Sequence, residues 1–258
     1  MKNALLILVL AIGFSSCSKD NDDNDIAQLV TAQLSFNHQW DGEDIDIFNS
    51  SAIQYTNANG EMVSIERLRY LISELSFEQT DGTIIDIEGY HLVDIDIQGA
   101  LTFNTGIEIP AEQYTNVSFR FGFSDTANID GAYTDLNVVN WGVPMMLGGG
   151  YHYMQMEGSF INDLNEELNY QFHTIRAAEN PGENVQNTDT SFTVNLGPLN
   201  ATSSGAVVVN VDLAEWYKNP NVWNLNELYT MLMPNYDAQI LMSQNGPSVF
   251  TRGVELNP

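Results

Sequence analysis

Residues 29–40 read LVTAQLSFNHQW. Val30, Ala32, Leu34, Phe36, His38 and Trp40 fall on one side of a period-2 pattern, with Thr31, Gln33, Ser35 and Asn37 on the other. The alternation predicts a strand with one buried face and puts a histidine and a tryptophan in phase with the apolar side. The same pattern recurs along the chain. Val117, Phe119, Phe121 and Phe123 alternate with Ser118, Arg120 and Gly122. Residues 67–77 and 83–87 flank Asp81-Gly82, a strong hairpin signal. Residues 91–97, 151–160, 168–175, 191–196 and 206–211 bring the count to about nine or ten strands. Spacings and turn signals predict a mainly β fold, an antiparallel β-sandwich or barrel rather than alternating β and α units.

The C-terminal stretch differs. Residues 212–218, 225–233 and 236–244 read as short helices, with Asp212 capping the first and Asn224 the second. Met231, Met233, Ile240, Leu241 and Met242 read as core filler. Without an internal repeat or a Pro- or Ser-rich linker, residues 27–258 form a single expected domain.

Composition narrows the function. The chain has 258 residues, 34 acidic against 8 Lys and Arg, and a formal charge of −26. Binding nucleic acid or anionic lipid needs clustered basic side chains, so both are excluded as partners. The single cysteine excludes a disulfide framework, a thiolate zinc site and an iron–sulfur cluster. Residues 1–17, MKNALLILVLAIGFSSC, carry Lys2, then an apolar run from Ala4 to Phe14 that is too short to span a bilayer, then small residues before Cys17. This resembles a bacterial lipobox: residues 1–16 as a signal peptide, Cys17 as the lipid attachment and residues 17–26 as an acidic tether. The run SKDNDDND resembles the surface-export signal of Bacteroidetes lipoproteins. Read instead as a calcium loop, it lacks the turn glycine and the later bidentate Glu. The expected location is the outer membrane, facing the cell surface, with membrane contact only through the lipid.

Catalytic signals are sparse. The chain has no G-x-S-x-G elbow, and nothing singles out a carboxylate pair. Gly148-Gly149-Gly150 precedes a strand, not a helix that would bind phosphate. The expectation is a binding protein and not an enzyme. The four histidines are more informative. A hairpin turning at residues 161–164 pairs His152 with His173, and directly opposed Cβ atoms lie about 4.5–5.5 Å apart, close enough to share a metal ion. If the strand at residues 29–40 passes the same end, His38 joins them. Imidazole suits copper or zinc, and nearby methionine (Met145, Met146, Met154, Met156) favours copper(I). The same spacing also suits hydrogen-bonded core histidines with methionine packing, and a one-residue slip would turn His152 to the other face.

Several segments resemble the MbnP-like family of copper-binding proteins: TAQLSFNHQWDGEDI (31–45), GEMVSIERLRYLISELSFEQTDG (60–82), GYHLVDID (89–96), IPAEQYTNVSFRFGFSDTANIDGAY (109–133), GGGYHYMQMEGSF (148–160), NYQFHTI (169–175) and MPNYDAQILMSQNGPSVF (233–250). Members are extracytoplasmic, often lipidated proteins of Bacteroidetes and methanotrophs. The resemblance implies a copper ion held by two histidines and a tryptophan that a di-haem, peroxidase-like partner oxidises to kynurenine. His38 takes the F-x-H position, His173 the F-H position, and His152 follows Gly150-Tyr151. Many relatives carry W-x-W-x-x-G-Y here, whereas Met145 and Leu147 occupy the two Trp places. Trp141 is the nearest tryptophan and Trp40 the other candidate.

The expectation is thus a lipoprotein that binds copper through His38, His152 and His173, for acquisition, storage or handover, with no organic cofactor. The alternative is a surface module for a glycan or protein ligand, marked by an exposed platform of Trp40, Trp141, Tyr151 and Tyr153.

Overall fold

The computed structural model describes residues 28–182, 184–201 and 206–253. The expected signal peptide, Cys17 and the acidic tether lie outside the described residues. Burial along β1 (Leu29–Trp40) alternates residue by residue, with Val30, Ala32, Leu34, Phe36, His38 and Trp40 inward. Next come β2 (Glu43–Asp44), β3 (Tyr55–Thr56), β4 (Met62–Val63), β5 (Arg67–Gln79), β6 (Ile84–Asp94), β7 (Thr102–Pro110) and β8 (Gln113–Phe121). Helix α1 (Thr134–Val138) precedes β9 (Met154–Ile161), β10 (Glu167–Thr174), β11 (Ala177–Glu179), β12 (Gln186–Thr188), β13 (Phe192–Asn200) and β14 (Val207–Asp212). Helix α2 (Tyr236–Asn245) and β15 (Phe250–Arg252) close the chain.

The strands form two main sheets. The smaller has the order β15-β14-β1-β2, with β7 also paired to β1. The larger has the order β13-β8-β5-β9-β4-β3, with β6 on β5 and β10 on β9. One core fills the space between their inner faces, where Phe36 meets Phe119 at 6.4 Å and Phe119 meets Phe250 at 5.6 Å between ring centroids. Each such ring withdrawn from water stabilises by about 1.5–3 kcal/mol. Pairing among the described strands is antiparallel except for β1 with β14, which run parallel with His38 opposite Val211. The two lie far apart in sequence, and no turn signal could announce their pairing.

The structure differs from the sequence reading at several elements. β6 runs unbroken from Ile84 to Asp94, so residues 91–97 are not a separate strand. β7 was not anticipated. Residues 213–217 make a short 3-10 turn, with the Asp212 side chain accepting from the Ala214 amide. Residues 225–233 form turns instead of a helix. The Leu225 amide and the Asn226 side chain both donate to the buried Glu61 carboxylate, at 3.1 and 2.8 Å, and Met231 takes a left-handed φ of 54°.

One feature of the large sheet places the candidate site. Along one edge β5 changes partner near Leu71: Arg67 to Tyr70 pair with β9, and β8 takes over from Ile72. At this fork the Leu71 amide donates to the Tyr153 carbonyl (2.9 Å), and the Gly122 amide donates to the Leu71 carbonyl (2.8 Å). Gly122 is left-handed, and a Cβ there would sit 2.5 Å from the Tyr153 ring, so only glycine fits. Residues 151–153 enter β9 here, before the regular ladder begins.

Candidate metal centre

The β9–β10 hairpin does not pair His152 with His173. His173 stands opposite Gln155, Thr174 opposite Met154 and Glu167 opposite Ile161. Residues 162–166 form the loop, in which the Asn162 side-chain oxygen accepts from the Leu164 and Glu166 amides and Asn165 is left-handed. That turn fixes a register three residues away from the one read from the sequence, and an odd slip exchanges the faces. His173 therefore shares the outer face of the large sheet with Gln155 and Glu157, while Met154 and Met156 point into the core.

The two histidines meet all the same. The ladder starts at Met154, so His152 is free of its alternation, and its ring lies 5.5 Å from that of His173, edge to face. His152 Nδ1 lies 2.9 Å from the Trp141 carbonyl oxygen, which can only accept, so Nδ1 carries the hydrogen. Burial pushes the His152 pKa down to about 4, helped by the neighbouring His173 and Arg69 and opposed by that hydrogen bond. At neutral pH its Nε2 is therefore a bare lone pair, 3.2 Å from the Met233 sulfur. A thioether has no hydrogen to give, so two electron-pair donors face each other. His173 Nε2 lies 2.8 Å from the Glu157 carboxylate and donates to it, which leaves Nδ1 as its lone pair. Burial lowers the His173 pKa too, partly offset by Glu157.

Several long-range contacts build this arrangement. Arg69, on the outer face of β5, donates to Gln155 at 2.5 Å and sits 5.0 Å over the Trp141 ring, pinning the 139–150 loop to the sheet. Gly148, Gly149 and Gly150 are all left-handed, and Arg176 donates to the carbonyls of the first two at 3.1 Å each. The triple glycine is thus a tight turn that delivers His152. On the other side Gln239, buried in α2, donates to the carbonyls of His173 (2.9 Å) and Leu232 (3.1 Å), seating the segment that carries Met233 against β10.

His38 does not join them. It is 2% exposed on the inner face of β1, with Nε2 3.2 Å from the Tyr70 hydroxyl and Nδ1 buried without a partner among the described residues. Tyr70 points inward, and its neighbour Arg69 points outward to Trp141, so the large sheet separates His38 from the His152–His173 pair. Burial holds the His38 pKa at about 3. His91 stacks on Phe103 at 5.1 Å and bonds the Ala100 carbonyl at 2.8 Å, a packing role. Trp141 is fully buried 5.6 Å from the His152 ring, and its indole N–H has no partner among the described residues. Trp40 is buried against Tyr55, and Tyr151 and Tyr153 are also buried, so the four aromatics make no exposed platform. Met145 and Met146 are exposed, and Met154 and Met156 are core.

Among the described residues no three His, Cys, Asp or Glu side chains gather as a metal site. The donors that do gather are two imidazoles and a thioether, a set whose softness suits copper(I). Sequence reading missed Met233, which lies 81 residues from its partner His152.

The MbnP family profile matches residues 30–234, which takes in nearly all of β1, His152, His173 and Met233. The chain belongs to the MbnP family. The fold agrees: MbnP from Methylosinus trichosporium superposes with a TM-score of 0.56 at 12% identity, covering 89% of this chain and 100% of that one. No curated protein matches the sequence. The MbnP match ends just past Met233, while α2, which seats Met233, lies beyond it.

Proposed function

We propose that the protein is a cell-envelope lipoprotein that binds copper for acquisition, storage or handover. In this reading His152 and His173 hold the ion with Met233 as the third donor. The observation that carries it is the bare His152 Nε2 facing the Met233 sulfur at 3.2 Å beside the His173 ring. Two neutral imidazoles need not lose protons before binding, and the thioether favours copper(I) over harder ions. The Trp141 loop and the 231–234 segment cover His152, which is 5% exposed. Glu157 would hold the His173 ring, and the Trp141 carbonyl the His152 ring, each fixing the tautomer that leaves a nitrogen free for the metal.

The family resemblance adds a di-haem partner that oxidises a tryptophan, and Trp141 is the indole nearest the pair. Its complete burial means that such a partner would draw electrons through intervening protein, not by touching the ring. Anchoring through Cys17 at the cell surface rests on the leader sequence, and the chain's charge of −26 would raise the local cation concentration. The alternative of a glycan or protein module loses its expected mark with the burial of all four aromatics.

The test is metal content and titration on protein without an added histidine tag, using a copper(I) chelator as competitor. About one tightly held copper per chain is expected, with Met233→Leu weakening copper(I) by about fivefold and copper(II) hardly at all. No retained copper would overturn the reading.

A further inference from the structure

A cavity of about 290 Å³ opens beside His173, and its lining includes Pro144, Met146, Leu147, Met231 and Met233. Three of these are methionines, and they form a sequence in depth. Met231 is 73% exposed and Met146 58% exposed, while Met233 is half-buried with its sulfur against His152. These two exposed thioether side chains come from separate loops and converge on one cavity. Met231 also holds a left-handed backbone at φ 54°, a conformation a methionine rarely adopts. The surrounding contacts impose it: the Gln171 amide on the Tyr229 carbonyl at 2.8 Å, and Gln239 on Leu232 at 3.1 Å. Among the described residues the cavity lining includes no carboxylate, although the chain carries 34 of them. The side-chain donors at this mouth are thus thioether sulfurs, the His173 imidazole and the Gln171 amide, a set that favours a soft cation over the hard ones drawn by the acidic surface.

We propose that Met146 and Met231 form a thioether relay that passes a soft monovalent metal ion, of the copper(I) class, from solvent or a donor to His152 and Met233. The proposal rests on the copper reading above and adds to it a route of arrival. Each step exchanges one metal–ligand bond for another: the donor's ligand leaves, a Met sulfur takes its place, and imidazole nitrogen displaces that sulfur in turn. No electron moves and no proton need be released, because the accepting nitrogen is already bare. The relay sulfurs act on the rate of loading and, being displaced at the end, leave the final affinity alone.

The experiment compares the full-length protein with Met146→Leu, Met231→Leu and the double variant, which keep the apolar volume of the mouth. Transfer of copper(I) from a coloured chelator is followed by stopped flow, and equilibrium affinity is measured by competition. The double variant is expected to load about fivefold or more slowly with affinity unchanged within about twofold. Silver(I), a redox-inert ion of the same class, is added to protein with labelled methionine methyl groups; up to one equivalent it is expected to shift Met233, and beyond one equivalent, with the final site filled, to shift Met146 and Met231. Unchanged loading rates in a double variant that still binds copper would overturn the relay and leave the histidine site standing. Loss of affinity in step with rate would also overturn it, since the methionines would then be final ligands. A wild-type protein that takes up no copper(I) would overturn both, and the wild-type titration identifies that case separately.

Discussion

His38 and His152 are both buried imidazoles with strongly lowered pKa values, yet their surroundings differ in kind. His38 is set by a ladder: β1 alternation turns it inward, between the sheets, against Tyr70 and apolar residues. His152 is set by loops: the triple-glycine turn, the Trp141 carbonyl and the 231–234 segment bring it to a thioether and a second imidazole on the outer face of the large sheet. Burial and neutrality alone therefore do not bring other electron-pair donors to an imidazole. What separates the two is which lone pairs the covering elements place opposite them.

The sharpest break of this comparison is copper affinity. His152→Ala is expected to weaken copper(I) by about a hundredfold and His173→Ala by more than about tenfold, while His38→Phe stays within about twofold. Competition with a chelator gives all three, and a His38 variant that lost copper as strongly as the others would erase the distinction. A smaller effect is expected at Glu157, which touches the site only through His173 Nε2. Glu157→Gln should cost about tenfold, because the amide still accepts the hydrogen bond but lacks the charge that anchors the ring. An affinity equal to the wild type would show that His173 is oriented by packing alone.

The smallest effect is on pH dependence, and it sharpens the His38 side. Unfolded, His38 titrates near 6.5; folded, it stays neutral down to about 3. The unfolded chain alone takes up this proton as the pH falls, so the stability is full above about 6.5 and declines below it by about 1.4 kcal/mol per pH unit. His38→Phe should flatten that decline between about pH 6.5 and 4, read from urea midpoints, without altering the copper result. An unchanged slope would mean that the folded state admits a proton at His38.

Much of the fold was legible because alternation is a local property. The face of β1, the Asp81-Gly82 hairpin, the strands at β8 to β10 and the capping of residues 213–217 all follow from neighbours within a few positions. Residues 225–233 misled because their helical pattern competed with a buried carboxylate more than 160 positions away, Glu61, which recruits their donors. The histidine pair was legible as residues and illegible as geometry. The loop at residues 162–166 set another register, and the pair met only because His152 precedes the ladder.

The amino-acid sequence by itself determined the mainly β architecture, the inward faces of β1 and β8, the acidic character and the family. Each depends on residue type and spacing along one stretch of chain. The tertiary structure alone decided that His38 stands apart, that the Met233 sulfur faces His152 and that exposed methionines converge on one cavity. Those outcomes depend on which distant loop closes over the outer face of a sheet, through contacts such as Gln239 with His173 and His152 with Met233, 66 and 81 residues apart. Strand periodicity specifies that a face exists; packing selects what covers it.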